Sequence, residues 1–173
     1  MRLIALALTL AIAVSACGGD SPTSPSDLKE TVNVGDVSFG VNRTTLWRDF
    51  MPVVREPGPD GGARMAGWIV VRAANQGREA SFTLEASVYD GAGNRHPVTV
   101  VAHDYDRETQ FPGQEVLWTG SIGSGAVQWL ELRLSAGPYL PVGSRAYVVL
   151  QWSERGGGRG SMRTAEVEIG GTY

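Results

Sequence analysis

Ser81-Phe-Thr-Leu-Glu-Ala-Ser-Val88 decides the fold class of this chain. Its even-numbered side chains are all apolar and its odd-numbered side chains are all polar. This two-residue period is typical of a β-strand that buries one face and exposes the other. The stretch therefore predicts a half-buried antiparallel strand of the kind that builds all-β domains.

Strand and turn signals continue in both directions from this stretch. Gly67 to Ala74 is a nearly continuous apolar run, which indicates a central strand, and Asp90-Gly-Ala-Gly-Asn94 is a turn sequence. Further strands are predicted over residues 37–41, 44–54, 98–102, 116–122, 129–134, 146–152 and 165–169. Turn signals separate them at about the spacing of a sandwich. The predicted fold is an all-β antiparallel β-sandwich of about eight to nine strands, in a single domain over residues 31–173.

Composition and charge narrow the function classes. The chain has 173 residues, an apolar fraction of 42%, 23 glycines and a formal net charge of −3. A strong basic field is absent, which predicts no sequence-independent binding to nucleic acid. Cys17 is the single cysteine, so the sequence predicts no internal disulfide and no thiolate metal cluster.

The first 16 residues predict a secretory leader. Met1-Arg2 is a short positive start, and Leu3 to Val14 is an apolar run of 12 residues. A membrane-spanning helix needs about 20 residues, whereas a run of this length is typical of a signal peptide.

Val14-Ser15-Ala16-Cys17 resembles the lipobox of bacterial lipoproteins, in which an aliphatic residue and two small residues precede a cysteine. The resemblance implies that the thiol of Cys17 receives a diacylglyceryl group and that the leader is cut just before it. In two-membrane bacteria of this kind, an aspartate directly after the cysteine favours the inner membrane. Gly18 stands there instead, so the resemblance favours an outer-membrane location in such an organism. The alternative is an ordinary signal peptide followed by a chance cysteine.

The segment from Cys17 to Glu30 is predicted to be a flexible tether. Residues 18–27 contain no apolar side chain beyond proline and cannot bury surface. A flexible chain of this length spans roughly 20 Å root-mean-square, so the domain should stay close to the lipid surface while remaining able to reorient.

Part of the domain resembles immunoglobulin-like modules of bacterial extracytoplasmic proteins, of the CARDB and FxLYD type. The resemblance lies in Trp68-Ile-Val-Val-Arg-Ala-Ala-Asn-Gln-Gly77, Phe82 to Gly93, and Phe111-Pro-Gly-Gln114 before a strand. It covers about a third of the chain, from Gly67 to Ile122. It implies an immunoglobulin-like sandwich and a role in binding, spacing or adhesion rather than a particular ligand.

Motifs of known enzyme classes are missing from the sequence. There is no nucleophile elbow, phosphate loop, His-Glu-x-x-His or dinucleotide fingerprint. Arg155-Gly-Gly-Gly-Arg159-Gly predicts a hairpin loop. We therefore expect a non-catalytic protein with no cofactor.

Two candidate sites remain. His103-Asp-Tyr-Asp-Arg-Glu108 would place the carboxylates of Asp104, Asp106 and Glu108 on one side of an extended chain and His103 on the other. Three such carboxylates could contribute to a divalent-cation site, and the alternative is a solvated strand end. His96, before Pro97, is predicted to be exposed at a turn.

Trp129 is the second candidate. If Leu130, Leu132 and Leu134 face the core, Trp129 shares the outer side with Glu131 and Arg133, where it could stack on a sugar or anchor a protein. The alternative is that a loop such as residues 137–141 covers it. Trp68, Trp118 and Trp152 lie in apolar runs and are predicted to be core residues.

The sequence as a whole predicts a lipid-anchored cell-envelope protein. Its β-sandwich would serve in binding, adhesion or scaffolding, with an envelope protein or a glycan as partner. A small-ligand or divalent-metal-binding envelope lipoprotein is the alternative.

Overall fold

The computed structural model describes residues 24–51, 56–105 and 116–173. In these ranges the chain is all-β, as predicted, with ten strands and one short 3₁₀ turn. The elements are η1 (Pro25–Asp27), β1 (Thr31–Val34), β2 (Val37–Asp49), β3 (Ala66–Asn75), β4 (Ala80–Asp90), β5 (Arg95–Asp104), β6 (Ser121–Ile122), β7 (Val127–Ser135), β8 (Arg145–Glu154), β9 (Arg159–Arg163) and β10 (Val167–Thr172). The described residues contain no helix of the length and apolarity that crossing a membrane requires.

Seven of these strands form a closed ring. They follow one another in the order β4, β5, β7, β3, β2, β10 and β8, and β8 pairs back with β4. The pairings are antiparallel except for that of β10 with β2, which is parallel. Strands β1, β6 and β9 extend the sheet beside β2, β4 and β8. The sequence predicts two separate layers, whereas the hydrogen bonds join the strands into one barrel wall.

Two strands close the ring because each changes partner along its length. The first part of β5 pairs with β4 and its second part, from Thr99, pairs with β7. Likewise β10 begins beside β8 and continues from Ile169 beside β2. Such partner changes form the corners between sheet layers. The alternation of apolar and polar residues along a strand does not predict where they occur.

Strand β2 is one long strand where the sequence predicts two. An irregularity in register between Val41 and Arg43 leaves Asn42 as an extra residue against β3. A bulge of this type bends the strand and increases its twist while the pairing continues. As a result β2 pairs with β1 near its start and with β10 near its end.

The segment after residue 115 also differs from the prediction. Only Ser121–Ile122 pairs as a strand in the predicted range 116–122, while Leu117 forms a single bridge with His103. The backbone N–H of Trp118 donates a hydrogen bond to the carbonyl of Ala102 on β5. The carbonyl of Gly120 accepts one from the backbone N–H of Phe82 on β4. The segment therefore fills the space where β4 and β5 diverge.

The hydrophobic core lies inside the ring. Trp152 of β8 stacks on Phe39 of β2 with ring centroids 4.0 Å apart, and Phe82 of β4 meets Phe39 edge to face at 5.1 Å. Trp118 is partly buried against the same cluster and meets Trp152 at 6.1 Å. The predicted burial of Trp152 is therefore confirmed, and strands from opposite walls meet through aromatic rings.

The domain begins slightly before β1. The carbonyl of Lys29 accepts a hydrogen bond from the backbone of Arg163, and that of Glu30 accepts one from Val41. Both residues belong to the predicted tether, so the part of the tether left between the domain and Cys17 is a little shorter. Cys17 and the predicted leader lie outside the described residues.

Candidate functional site

The outer side of the wall formed by β2, β3, β7 and β5 carries two of the predicted candidate binding residues, Trp129 and His103. We call it the tryptophan face. It consists of the side chains that alternate with buried core residues on these strands: Arg43, Thr45, Trp47, Trp68, Val70, Arg72, Val101, His103, Val127, Trp129, Glu131 and Arg133.

Trp68 is the most prominent residue of this face. Its side chain is 50% exposed, although the sequence predicts a core position. Gly67 and Ile69 on either side of it are buried, so the strand alternates despite its continuous apolar sequence. A barrel wall is a single layer, and every second residue of an apolar strand then faces out. Trp47 on β2 meets Trp68 in a T-shaped arrangement, with ring centroids 5.1 Å apart.

The register places Trp68 in a row across four strands. Thr45 lies beside it on β2, Arg133 beside it on β7, and Val101 follows on β5. Val101 is exposed. Arg133 donates a hydrogen bond from Nε to Glu131 at 2.6 Å. The row therefore combines an aromatic ring, an aliphatic side chain and a cation.

A second row contains His103. It runs from Arg43 through Val70 and Glu131 to His103. The imidazole of His103 is only 8% exposed, and its Nδ1 has no hydrogen-bond partner among the described residues. The bridge to Leu117 places another backbone segment beside it. His103 is thus a buried part of the wall rather than a solvated loop residue.

Trp129 lies on the tryptophan face together with Glu131 and Arg133, as its spacing predicts. Its neighbour across β3 is Arg72, which is exposed, and the ring itself is half-buried. The loop expected to cover it, residues 137–141, packs elsewhere: Tyr139 lies against Arg48 and Arg64.

The predicted carboxylate cluster is only partly within the described residues. Asp104 lies at the end of β5 and accepts a hydrogen bond from Gln128. Asp106 and Glu108 lie outside the described ranges. Among the described residues, no group of three His, Cys, Asp or Glu side chains is placed to hold a metal ion. Divalent-cation binding by His103, Asp104, Asp106 and Glu108 therefore stays a prediction.

His96 is held in place rather than fully exposed. Its side chain is 31% exposed, and its Nε2 lies 3.1 Å from Asp90. Asp90 also accepts hydrogen bonds from the side chain of Asn94 and from the backbone of Ala92 and Asn94. These hydrogen bonds lower the pKa of Asp90. The bond from the Asn94 side chain has the largest effect, followed by that of His96. The pair stabilises the β4–β5 turn.

Comparisons with known proteins give a structural resemblance at low sequence identity. No family model and no curated protein matches this chain. Among solved structures, the crystal structure of a DUF4426 family protein from Pseudomonas aeruginosa is similar, with 12% sequence identity and a TM-score of 0.41. The match covers 84% of this chain and all of that one.

Arg48 is a structural centre that the sequence analysis does not single out. It points into the barrel end and is 1% exposed. Each of its five N–H donors has an acceptor. Nε donates to Ala63, Nη1 to Asp60 and Leu140, and Nη2 to Asp60 and Gly62.

The Arg48 network joins two loops to one end of the barrel. The aromatic rings of Phe50 and Tyr139 lie 5.2 and 5.6 Å from the guanidinium carbon, within cation–π range. The loop after β2 and the loop after β7 are thereby tied together at this end of the barrel. A positive charge at an inward position of β2 is the signal in the sequence that could have indicated such a network.

Asp60 gives this network a pH dependence. The hydrogen bonds from Arg48 lower the pKa of Asp60 to about 2, against about 3.9 for an aspartate in an unfolded chain. A lowered pKa stabilises the folded state above about pH 4, and this stabilisation is lost as the pH falls towards 2.

We expect Asp60→Asn to be less stable than the wild type at pH 5, with the difference shrinking as the pH falls towards 2. Urea unfolding midpoints at a series of pH values measure this. In an Arg48→Met background, the same Asp60→Asn substitution should show no such trend, because the donor that lowers the pKa is gone. A constant difference between wild type and Asp60→Asn across that pH range would contradict the assignment.

Proposed function

We propose that this chain is a lipid-anchored cell-envelope protein whose β domain binds or scaffolds without catalysis. The observation that carries the binding part is the tryptophan face, on which Trp68 is half exposed between Arg133 and Thr45. Tryptophan and arginine are the residues most enriched where binding energy concentrates. Trp68 lies against Trp47, and a contiguous exposed apolar patch, unlike a single exposed residue, marks a contact surface.

The anchor is supported by the lipobox-like sequence before Cys17 and by the polar segment that follows it. Two or three acyl chains would hold the chain in a membrane almost permanently, since each buried methylene contributes about 0.8 kcal/mol. The outer membrane is the proposed location in a two-membrane organism.

The immunoglobulin-like type of the domain belongs to the same proposal. Its support is the resemblance between Gly67 and Ile122 and the mainly antiparallel pairing of these strands. The closure of the ring through β10 distinguishes this domain from an open sandwich.

Metabolic labelling with a fatty acid tests the anchor. The wild-type chain should take up label, and Cys17→Ser should lose it completely. Ser15→Cys in the Cys17→Ser background is a matched control, because it restores a thiol two residues away from the predicted acceptor position. Equal labelling of wild type and Cys17→Ser would refute the anchor.

A pull-down tests the binding role. The mature chain from residue 17, with Cys17→Ser, is immobilised and exposed to envelope extract and to isolated envelope glycans. Material retained by this chain and lost with Trp68→Ala supports binding through the tryptophan face. If the chain retains nothing, the domain is a purely structural unit.

A further inference from the structure

We infer that the tryptophan face docks onto the anionic surface of the bilayer that anchors the chain. This inference rests on the proposed lipid anchor and names the partner of the proposed binding surface. The domain would then lie on the membrane with β2, β3, β7 and β5 downwards.

The apolar part of the face matches the boundary between head groups and acyl chains. Val101 and Val127 are exposed on this face together with Trp68. Leu117, which is also exposed, adjoins the face through its bridge to His103. Tryptophan favours the membrane interface because its ring is apolar and its N–H is polar. Aliphatic side chains gain from partial burial in lipid, whereas a glycan presents mainly hydrogen-bonding groups.

The charge of the face is opposite to that of the chain. The formal net charge is −3, which would repel an anionic surface. The tryptophan face, however, carries three basic residues, Arg43, Arg72 and Arg133, and one acidic residue, Glu131. Basic residues near an anionic leaflet contribute about 1 kcal/mol each. The electrostatic field therefore orients the domain with this face towards anionic lipid.

The length of the tether allows this contact. Strand β1 begins at Thr31, opposite Gly40 on β2, and Trp47 lies about 23 Å further along β2 at the usual rise per residue. The chain between Cys17 and Lys29, whose carbonyl is already hydrogen-bonded to the domain, spans roughly 20 Å on average and about 40 Å when extended. A lipid on Cys17 and the tryptophan face can therefore touch the same membrane.

The tether also makes a weak contact sufficient. A short flexible linker gives an effective concentration in the range of about millimolar. A face with an intrinsic dissociation constant of that order is then bound for much of the time. Two described clefts, of about 330 and 410 Å³, are lined by β4 and its neighbours. A third, of about 340 Å³, is lined in part by Val101 and Leu117 and so lies beside the tryptophan face.

Vesicle binding by the mature chain with Cys17→Ser tests the inference without the anchor. The probes are pure phosphatidylcholine vesicles and mixed vesicles that contain phosphatidylglycerol, and the readouts are co-sedimentation and quenching of tryptophan fluorescence by lipids brominated near the head group. We expect binding to the anionic vesicles that weakens with added salt. Arg72→Glu should lower the partition coefficient about tenfold or more, and Trp68→Ala should lower it about fivefold or more and reduce the quenching.

Arg155→Glu is the matched control, since it makes the same charge change in the exposed β8–β9 turn, away from the face. It should bind anionic vesicles much more tightly than Arg72→Glu does. Melting temperatures within a few degrees of the wild type for all three variants exclude a folding effect. The absence of vesicle binding at millimolar lipid, or equal loss with Arg72→Glu and Arg155→Glu, would overturn the inference.

Two further results separate this inference from the proposed function. Fatty-acid labelling at Cys17 together with no vesicle binding leaves the anchor in place and removes membrane docking. A glycan or envelope protein that is lost with Trp68→Ala, while vesicle binding stays unchanged, assigns the face to that partner and also removes membrane docking.

Discussion

Trp152→Ala is expected to cost about 3–5 kcal/mol of folding free energy, which is a large share of the stability of a domain of this size. The indole is fully buried, stacks on Phe39 at 4.0 Å and meets Trp118 at 6.1 Å. These contacts join β8, β2 and the segment between β5 and β6 across the inside of the ring. Alanine would leave a cavity where opposite walls meet, and rigid strands can close over it only partly.

Trp152→Phe should be much milder than Trp152→Ala. The Nε1 of Trp152 is buried and has no hydrogen-bond partner among the described residues. An unsatisfied buried donor costs about 1–3 kcal/mol, and phenylalanine removes that donor while keeping a ring against Phe39. We therefore expect Trp152→Phe to cost less than about 2 kcal/mol, because the lost volume is offset in part.

Urea unfolding of the mature chain with Cys17→Ser measures both substitutions. Trp68→Ala is the control, because it removes the same side chain from a half-exposed position and should cost no more than about 1 kcal/mol. Similar losses for Trp152→Ala and Trp68→Ala would contradict the assignment of one tryptophan to the core and the other to the outer face.

The contrast between these two tryptophans shows what the sequence can predict. The alternation from Phe82 to Val88 predicts β4 and its buried face, and the structure has both. A continuous apolar run such as 67–74 predicts a strand but hides which side of it faces out. Trp68 is therefore predicted to be buried with its neighbours, whereas the single-layer wall exposes it.

The closure of the ring lies beyond local sequence patterns. The partner changes of β5 at Thr99 and of β10 at Ile169 depend on which strands meet after the chain has folded. The short strand β9 also escapes prediction, because Gly160 and the polar residues around it give no apolar period; it forms because β8 offers a free edge. The sequence places Trp129 on one side of its strand with Glu131 and Arg133, but the position of Trp68 beside Arg133 depends on the register between β3 and β7.

Arg48→Met is expected to cost about 3 kcal/mol or more. Methionine fits the space of the arginine stem but provides no donor. The carbonyls of Ala63, Gly62 and Leu140 then lose a partner, and a buried acceptor without a hydrogen bond is costly. The carboxylate of Asp60 also loses its bidentate partner, although it is 49% exposed and water can take over part of that role.

Arg48→Lys separates charge from geometry. Lysine keeps the positive charge but has three donors at a single point, whereas the guanidinium reaches both oxygens of Asp60 and three carbonyls in one plane. We expect Arg48→Lys to recover only a small part of the stability lost in Arg48→Met. Thermal unfolding at pH 7 compares the two variants with the wild type.

The Arg48 network should also determine how the loops behave. Because Arg48 ties the loop that contains Asp60 to the loop that contains Leu140, its loss should increase hydrogen exchange in both loops more than in β3 or β8. Added salt should change the effect little, because the guanidinium is buried and poorly screened. If Arg48→Met melts within a few degrees of the wild type, or if Arg48→Lys matches the wild type, the five hydrogen bonds are not what holds this end of the barrel together.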